Sequence, residues 1–211
     1  MPASRYVFIA AIATIVAIAI AIFARALDGS AGAPQYATLL PEPVPLPEFS
    51  LVDQHNAPFT RDSLRGQTSL MFFGFTHCPD ICPATLQQLA AARKQLAEAS
   101  PGTGALPEII LISVDPERDT PGKLDQYVTY FGDGVAAATG SMEAIRELTS
   151  PLGIYFEKQP NAEVEAQGNY SVSHSTAVLV IDENASLKAL FSAPHKTESF
   201  VHDLPRLMAS R

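Results

Sequence analysis

The run Ser69-Leu70-Met71-Phe72-Phe73-Gly74-Phe75-Thr76-His77-Cys78-Pro79-Asp80-Ile81-Cys82-Pro83 decides the fold. Seven residues, Ser69–Phe75, form a continuous apolar stretch, the mark of a strand buried on both faces. The two cysteines of the chain follow it with three residues between them. From Pro83 to Ala99, Leu86, Leu89, Ala90 and Leu96 recur at helical spacing, and Pro83 suits a first helical turn. A buried strand therefore delivers two thiols to the start of a helix. There the free amide N–H groups and the helix dipole favour an anionic sulfur.

Outward from this point the pattern alternates. Phe49–Val52 and Ala57–Thr60 read as a hairpin around Gln54-His55-Asn56, and Glu108–Val114 as a second buried strand. Thr120 and Pro121 form a cap and first-turn pair opening a helix to about Phe131. A strand near Val135–Thr139 and a helix capped by Ser141 come next. Ile154–Lys158, Ala177–Ile181 and Leu187–Phe191 read as further strands, with a turn at Glu183-Asn184. Thr197 is placed at the cap of a closing helix that Pro205 should bend or end. Strand and helix alternating, then a hairpin and a last helix, describe an α/β fold of thioredoxin-like layout. In such sheets reactive groups sit beyond the carboxyl ends of the strands, where the dithiol falls.

The front of the chain is different. Tyr6–Ala24 is 19 residues without a charge, bounded by Arg5 and Arg25. A helix of that length spans about 28 Å, close to the hydrocarbon thickness of a bilayer. Ala24-Arg25-Ala26 and Ala31-Gly32-Ala33 have the form of signal cleavage sites, but the run exceeds the usual signal core and the balance favours an uncleaved anchor. The division is then 1–25 as cytoplasmic N-terminus and anchor, 26–47 as a Pro/Ala-rich spacer, and 48–211 as the globular domain. The positive-inside tendency puts residues 26–211 outside the cytoplasm, in a compartment that permits disulfides. The chain carries 22 acidic and 14 basic residues, net charge −8, with no basic cluster, which argues against nucleic acid as a partner.

Cysteines at i and i+4 on one helical turn have Cβ atoms about 5–6 Å apart, which suits a shared ion and, with adjustment, a disulfide. Spacing alone leaves a metal clamp and a redox pair both open. Among five histidines, His174 stands apart. It precedes the strand Ala177–Ile181, at the place where thioredoxin-like proteins carry the proline loop that packs on the dithiol. Two thiolates and an imidazole make a soft set suited to copper.

The chain resembles the Sco/SenC family of copper-binding, thioredoxin-like proteins that serve cytochrome c oxidase assembly. The likeness rests on Gly74-Phe75-Thr76-x-Cys78-Pro79-Asp80-Ile81-Cys82-Pro83, on Ser113–Pro121 (SVDPERDTP), and on Val172-x-His174-Ser175 ahead of Asp182. It implies one copper ion, Cu(I) or Cu(II), held by Cys78, Cys82 and His174. It further implies delivery toward the copper centre of oxidase subunit II, contacts with other copper chaperones or thiol reductants, and a bacterial inner-membrane anchor with the domain in the periplasm. The same residues, Cys78 and Cys82, would serve a thiol-disulfide oxidoreductase. Ser173 stands where members commonly carry an acid. Asp115 and Asp119 read as structural, at the end of a strand and the start of a helix, with Arg118 able to pair with either.

Overall fold

A computed structural model describes residues 14, 16, 18, 33–99, 106–159 and 170–209. The expected anchor, 6–24, lies outside the described residues but for three positions. Among the described residues, no helix is long and apolar enough to cross a membrane.

Residues 34–211 form one compact unit. Its strands are β1 (Thr38–Pro45), β2 (Ser50–Asp53), β3 (Pro58–Thr60), β4 (Ser69–Gly74), β5 (Glu108–Ser113), β6 (Val135–Thr139), β7 (Phe156–Lys158), β8 (Val172–His174), β9 (Val178–Ile181) and β10 (Ser186–Phe191). Its helices are α1 (Ile81–Ala99), α2 (Pro121–Thr129), α3 (Met142–Thr149) and α4 (Thr197–Ala209). Eight strands make one sheet in the order β1-β10-β9-β4-β5-β6-β2-β3, while β7 and β8 form a separate pair. β4, β5 and β6 run parallel, and β9, β10 and β1 extend the sheet antiparallel from β4.

Burial explains the central strands. Every residue of β4 is buried, and Phe72, Phe73, Ile109–Ile112 and Val178–Ile181 form the middle of the core. α1 buries Cys82, Thr85, Leu86, Leu89 and Ala92, one stripe at helical spacing, and packs beside α4. Thr120 caps α2 and Ser141 caps α3, each hydroxyl accepting a backbone N–H three residues on, from Lys123 and Ala144. The dithiol loop leaves β4 at its carboxyl end and enters α1, as the sequence implies.

Three expectations change. Residues 38–45, read as spacer, are an edge strand paired with β10, and Leu46 behind them is buried. Alternate prolines allow this because an outermost strand needs no donor on its solvent side. The Asp203 carboxylate, on α4, accepts the N–H groups of Gln35, Tyr36 and Ala37 at 2.9, 2.7 and 2.7 Å, tying the strand's approach down. Of the bend or end expected at Pro205, the end does not occur, and α4 runs on to Ala209. Thr197 begins that helix with its hydroxyl donating to Gln88 Oε1 at 2.5 Å, so it links α4 to α1 rather than capping its own helix.

Candidate metal centre

Cys78, Cys82 and His174 come together. Cys78 Sγ, Cys82 Sγ and an imidazole nitrogen all lie within 4.8 Å of one another, and both cysteines are free thiols. Cys82 is the second residue of α1 and wholly buried; Cys78 precedes the helix and is half-buried. The backbone between them folds as a turn, with Cys82 N–H donating to Cys78 Sγ at 3.4 Å and Cys78 N–H to Phe75 O at 3.3 Å. Gly74, opposite, leaves room for the buried sulfur. A Cβ there would stand 2.9 Å from Cys82 Sγ and 3.1 Å from the Phe72 ring.

His174 ends β8 and approaches from the other side. Its Nε2 lies 3.4 Å from Cys82 Sγ, and its Nδ1 lies 3.0 Å from the carbonyl oxygen of Ser175. A carbonyl only accepts, so Nδ1 carries the proton in the neutral ring and Nε2 presents its lone pair to the sulfurs. This is the tautomer a metal-binding imidazole needs. Phe72 and Phe75 meet the ring edge-on, at 6.0 and 5.8 Å between centroids.

The two thiols differ electrostatically. The Cys82 thiol and the backbone N–H groups of Cys82 and Asp80 favour negative charge on Cys78. They outweigh burial and hold its pKa at about 5. Cys82 is pushed up by the neighbouring Cys78 sulfur and by burial, so it keeps its proton in the ion-free site. The result is one ready thiolate, one protected thiol and one aimed imidazole. Two soft sulfurs and a nitrogen fit a thiophilic ion, and the pair can equally close a disulfide.

The loop that carries Cys78 is braced from below. Asp119 is fully buried and accepts Thr76 N–H at 2.9 Å, Thr76 Oγ1 at 2.5 Å and Ser113 Oγ at 2.6 Å. Its carboxylate therefore reaches back to the dithiol loop instead of stabilising its own helix start, correcting the sequence expectation. Asp115 pairs with Arg118, Oδ2 accepting from Nε at 2.5 Å. His77 turns toward Thr76 and Asp119, with Nδ1 at 3.1 Å from Thr76 Oγ1 and 3.8 Å from Asp119 Oδ1. His55, His195 and His202 hydrogen-bond elsewhere, to Gln54, Thr176 and Asp203. Sequence reasoning missed the Asp119–Thr76 brace and Tyr170, whose hydroxyl donates to Asp115 Oδ1 at 2.5 Å. The spacing of Asp119 from Thr76, 43 residues, carries no local pattern.

Comparison with known proteins agrees with this geometry. The chain is 36% identical over 170 residues to a putative copper-binding protein of Stutzerimonas stutzeri, covering 81% of this chain and 80% of that protein. It is 35% identical over 165 residues to the mitochondrial SCO2 homolog of Bos taurus, covering 77% of this chain but 59% of that longer protein. Copper-bound ScoI of Arabidopsis thaliana superimposes with a TM-score of 0.70 at 30% identity, over 77% of this chain and 96% of that one. The SCO1/SenC family matches residues 41–209, which include both cysteines, the histidine and their supporting strands, and the chain belongs to that family.

Proposed function

We propose that the protein is a copper metallochaperone, which binds one copper ion through Cys78, Cys82 and His174 and supports assembly of the copper centre of cytochrome c oxidase. The observation that carries this reading is the convergence of two sulfurs and an Nε2 lone pair within 4.8 Å. The copper-bound structure of the Arabidopsis relative, and the likeness to a putative copper-binding protein of Stutzerimonas, support the choice of ion. In the reduced protein Cys78 offers a thiolate at once, and Cys82 loses its proton as the ion arrives. The ion here is cargo. The recipient is oxidase subunit II, other copper chaperones or thiol reductants are further partners, and the domain stands outside the cytoplasm of a bacterial inner membrane on a single-pass anchor, 6–24.

The test is copper stoichiometry of the purified, reduced protein. One Cu(II) per chain with a thiolate charge-transfer band is expected, and His174→Ala should lose that band. No bound copper, or an unaltered Cu(II) spectrum and affinity in His174→Ala, overturns the ligand set.

The unequal thiols favour a second reading, thiol-disulfide exchange on cysteines of the oxidase subunit. The Cys78 thiolate would attack a partner disulfide and release one partner thiolate. Cys82 would then give up its proton and attack the Cys78 sulfur, closing Cys78–Cys82 and releasing the second partner thiol. That activity would persist in strict absence of copper. Copper delivery would not.

A further inference from the structure

The imidazole is held by the smallest sheet in the described structure. β7 and β8 pair with each other, Phe156 opposite His174 and Lys158 opposite Val172, and neither joins the eight-stranded sheet. A two-stranded pair is marginal by itself. Contacts beyond its ladder must therefore hold Nε2 at 3.4 Å from Cys82 Sγ.

Tyr170, two residues before β8, meets that need. The Arg118 guanidinium lies over its ring with Cζ 3.6 Å from the centroid, and the Lys158 ammonium of β7 lies over the same ring at 4.3 Å. Its hydroxyl donates to Asp115 Oδ1 at 2.5 Å, and Arg118 Nε donates to the other oxygen of that carboxylate at 2.5 Å. Lys158 also pairs with Glu117 at 2.5 Å. One aromatic ring, two cations and two carboxylates thus join the β7–β8 pair to the loop between β5 and α2. Arg118 Nη2 is buried with no hydrogen-bond partner. The guanidinium is kept in place by the Tyr170 face and Asp115 rather than by a full set of hydrogen bonds.

The latch touches the wall of the metal centre. Arg118 lies 5.7 Å from the Phe75 centroid, and Phe75 is one of the two rings against His174. Beyond His174 the chain is tied by Ser175 N–H to Tyr155 O and by His195 Nε2 to Thr176 O, at 2.8 and 2.7 Å. The ligand sits between these ties and Tyr170.

We propose that Tyr170 is a positioning residue for His174, clamped by Arg118, Lys158 and Asp115 so that the imidazole stays against the dithiol. Its consequence for copper rests on the ligand set proposed above; its consequence for the apo protein does not. Losing the latch weakens the nitrogen half of the site and spares the sulfurs. Cu(II), which relies on the imidazole, is affected more than Cu(I), which two thiolates satisfy.

The test uses Tyr170→Leu and Tyr170→Phe in the full chain, with two readouts. Amide hydrogen exchange of the apo protein compares β8 with β4, and chelator competition gives Cu(II) and Cu(I) affinities separately. Tyr170→Leu should speed exchange at β8 about tenfold with β4 unchanged. It should weaken Cu(II) about 10–100-fold while Cu(I) stays within about threefold. Tyr170→Phe keeps the ring beneath both cations and should fall between Leu and wild type. Wild-type exchange in both variants, or an unchanged ratio of Cu(II) to Cu(I) affinity, overturns the proposal. If Tyr170→Leu does not fold, Tyr170→Phe and Lys158→Ala are read by the same exchange measurement. If the wild-type protein binds no copper, the copper reading fails, and exchange at β8 alone decides the latch.

Discussion

Cys82 reaches the site from the buried face of a 19-residue helix, whereas His174 reaches it from a three-residue strand in a two-stranded sheet. The sulfur end rests on the core: Gly74, Phe72 and the α1 stripe leave Cys82 one place to be. The nitrogen end meets that core only through the edges of Phe72 and Phe75, and otherwise rests on the Ser175 carbonyl and the Tyr170 cluster. Core packing tolerates little movement, while polar and cation–π contacts are worth about 0.5–2 kcal/mol each and can be exchanged singly. A site of this kind can keep its dithiol geometry while its imidazole is drawn off and returned. That suits the proposed role, in which an ion is both held and released.

The largest expected effect breaks the comparison at the sulfur end. Cys82→Ser should abolish stoichiometric binding of Cu(I) and Cu(II) together, measured by metal analysis after gel filtration, because the buried donor has no substitute. Retained Cu(I) in that variant would show that the core does not define the site.

A smaller effect tests the room made for that sulfur. Gly74→Ala would place a methyl 2.9 Å from Cys82 Sγ and 3.3 Å from Leu111 Cδ1, against a rigid strand. Destabilisation of about 1–3 kcal/mol in urea is expected. Affinities for both copper states should fall by a similar factor, unlike the selective loss expected at Tyr170. An unchanged midpoint would place the tolerance of the site in Cys82 itself.

The smallest effect sharpens the contrast between the two thiols. With its pKa held at about 5 rather than the ordinary 9.0, Cys78 is thiolate across the neutral range. Its alkylation rate in the reduced, copper-free protein should change less than about twofold between about pH 6.5 and 8.5, where an ordinary thiol would rise roughly tenfold per unit over most of that range. The linked stability has a definite sign. A depressed folded pKa gives stabilisation that is complete above 9.0 and is lost as pH falls through about 5. Cys78→Ser should remove that part of the pH dependence of unfolding. An alkylation rate that climbs steeply through neutrality would refute the asymmetry.

Much of the fold is legible in the chain. The apolar run Ser69–Phe75, the caps Thr120 and Ser141 and the helical stripe of α1 lie where the residues imply. Each depends on neighbours in sequence, so each leaves a local trace. The prolines of 38–45 misled for the opposite reason. Their composition matches a spacer, and only pairing with β10, nearly 150 residues later, makes them a strand. His174 stood out by its place before a strand, in company with the family resemblance. Neither Tyr170 nor Asp119 stood out in that way, because their partners are 55 and 43 residues distant.

By itself, then, the sequence determined a buried strand that ends in two thiols at a helix start, since hydrophobic periodicity, prolines and caps act over a few residues. Tertiary structure alone decided the 3.4 Å approach of an imidazole 92 residues away, the ring nitrogen it presents, and the latch that keeps it there. Those are outcomes of long-range packing. The free energy of such contacts belongs to pairs of segments, and no single stretch of chain records it.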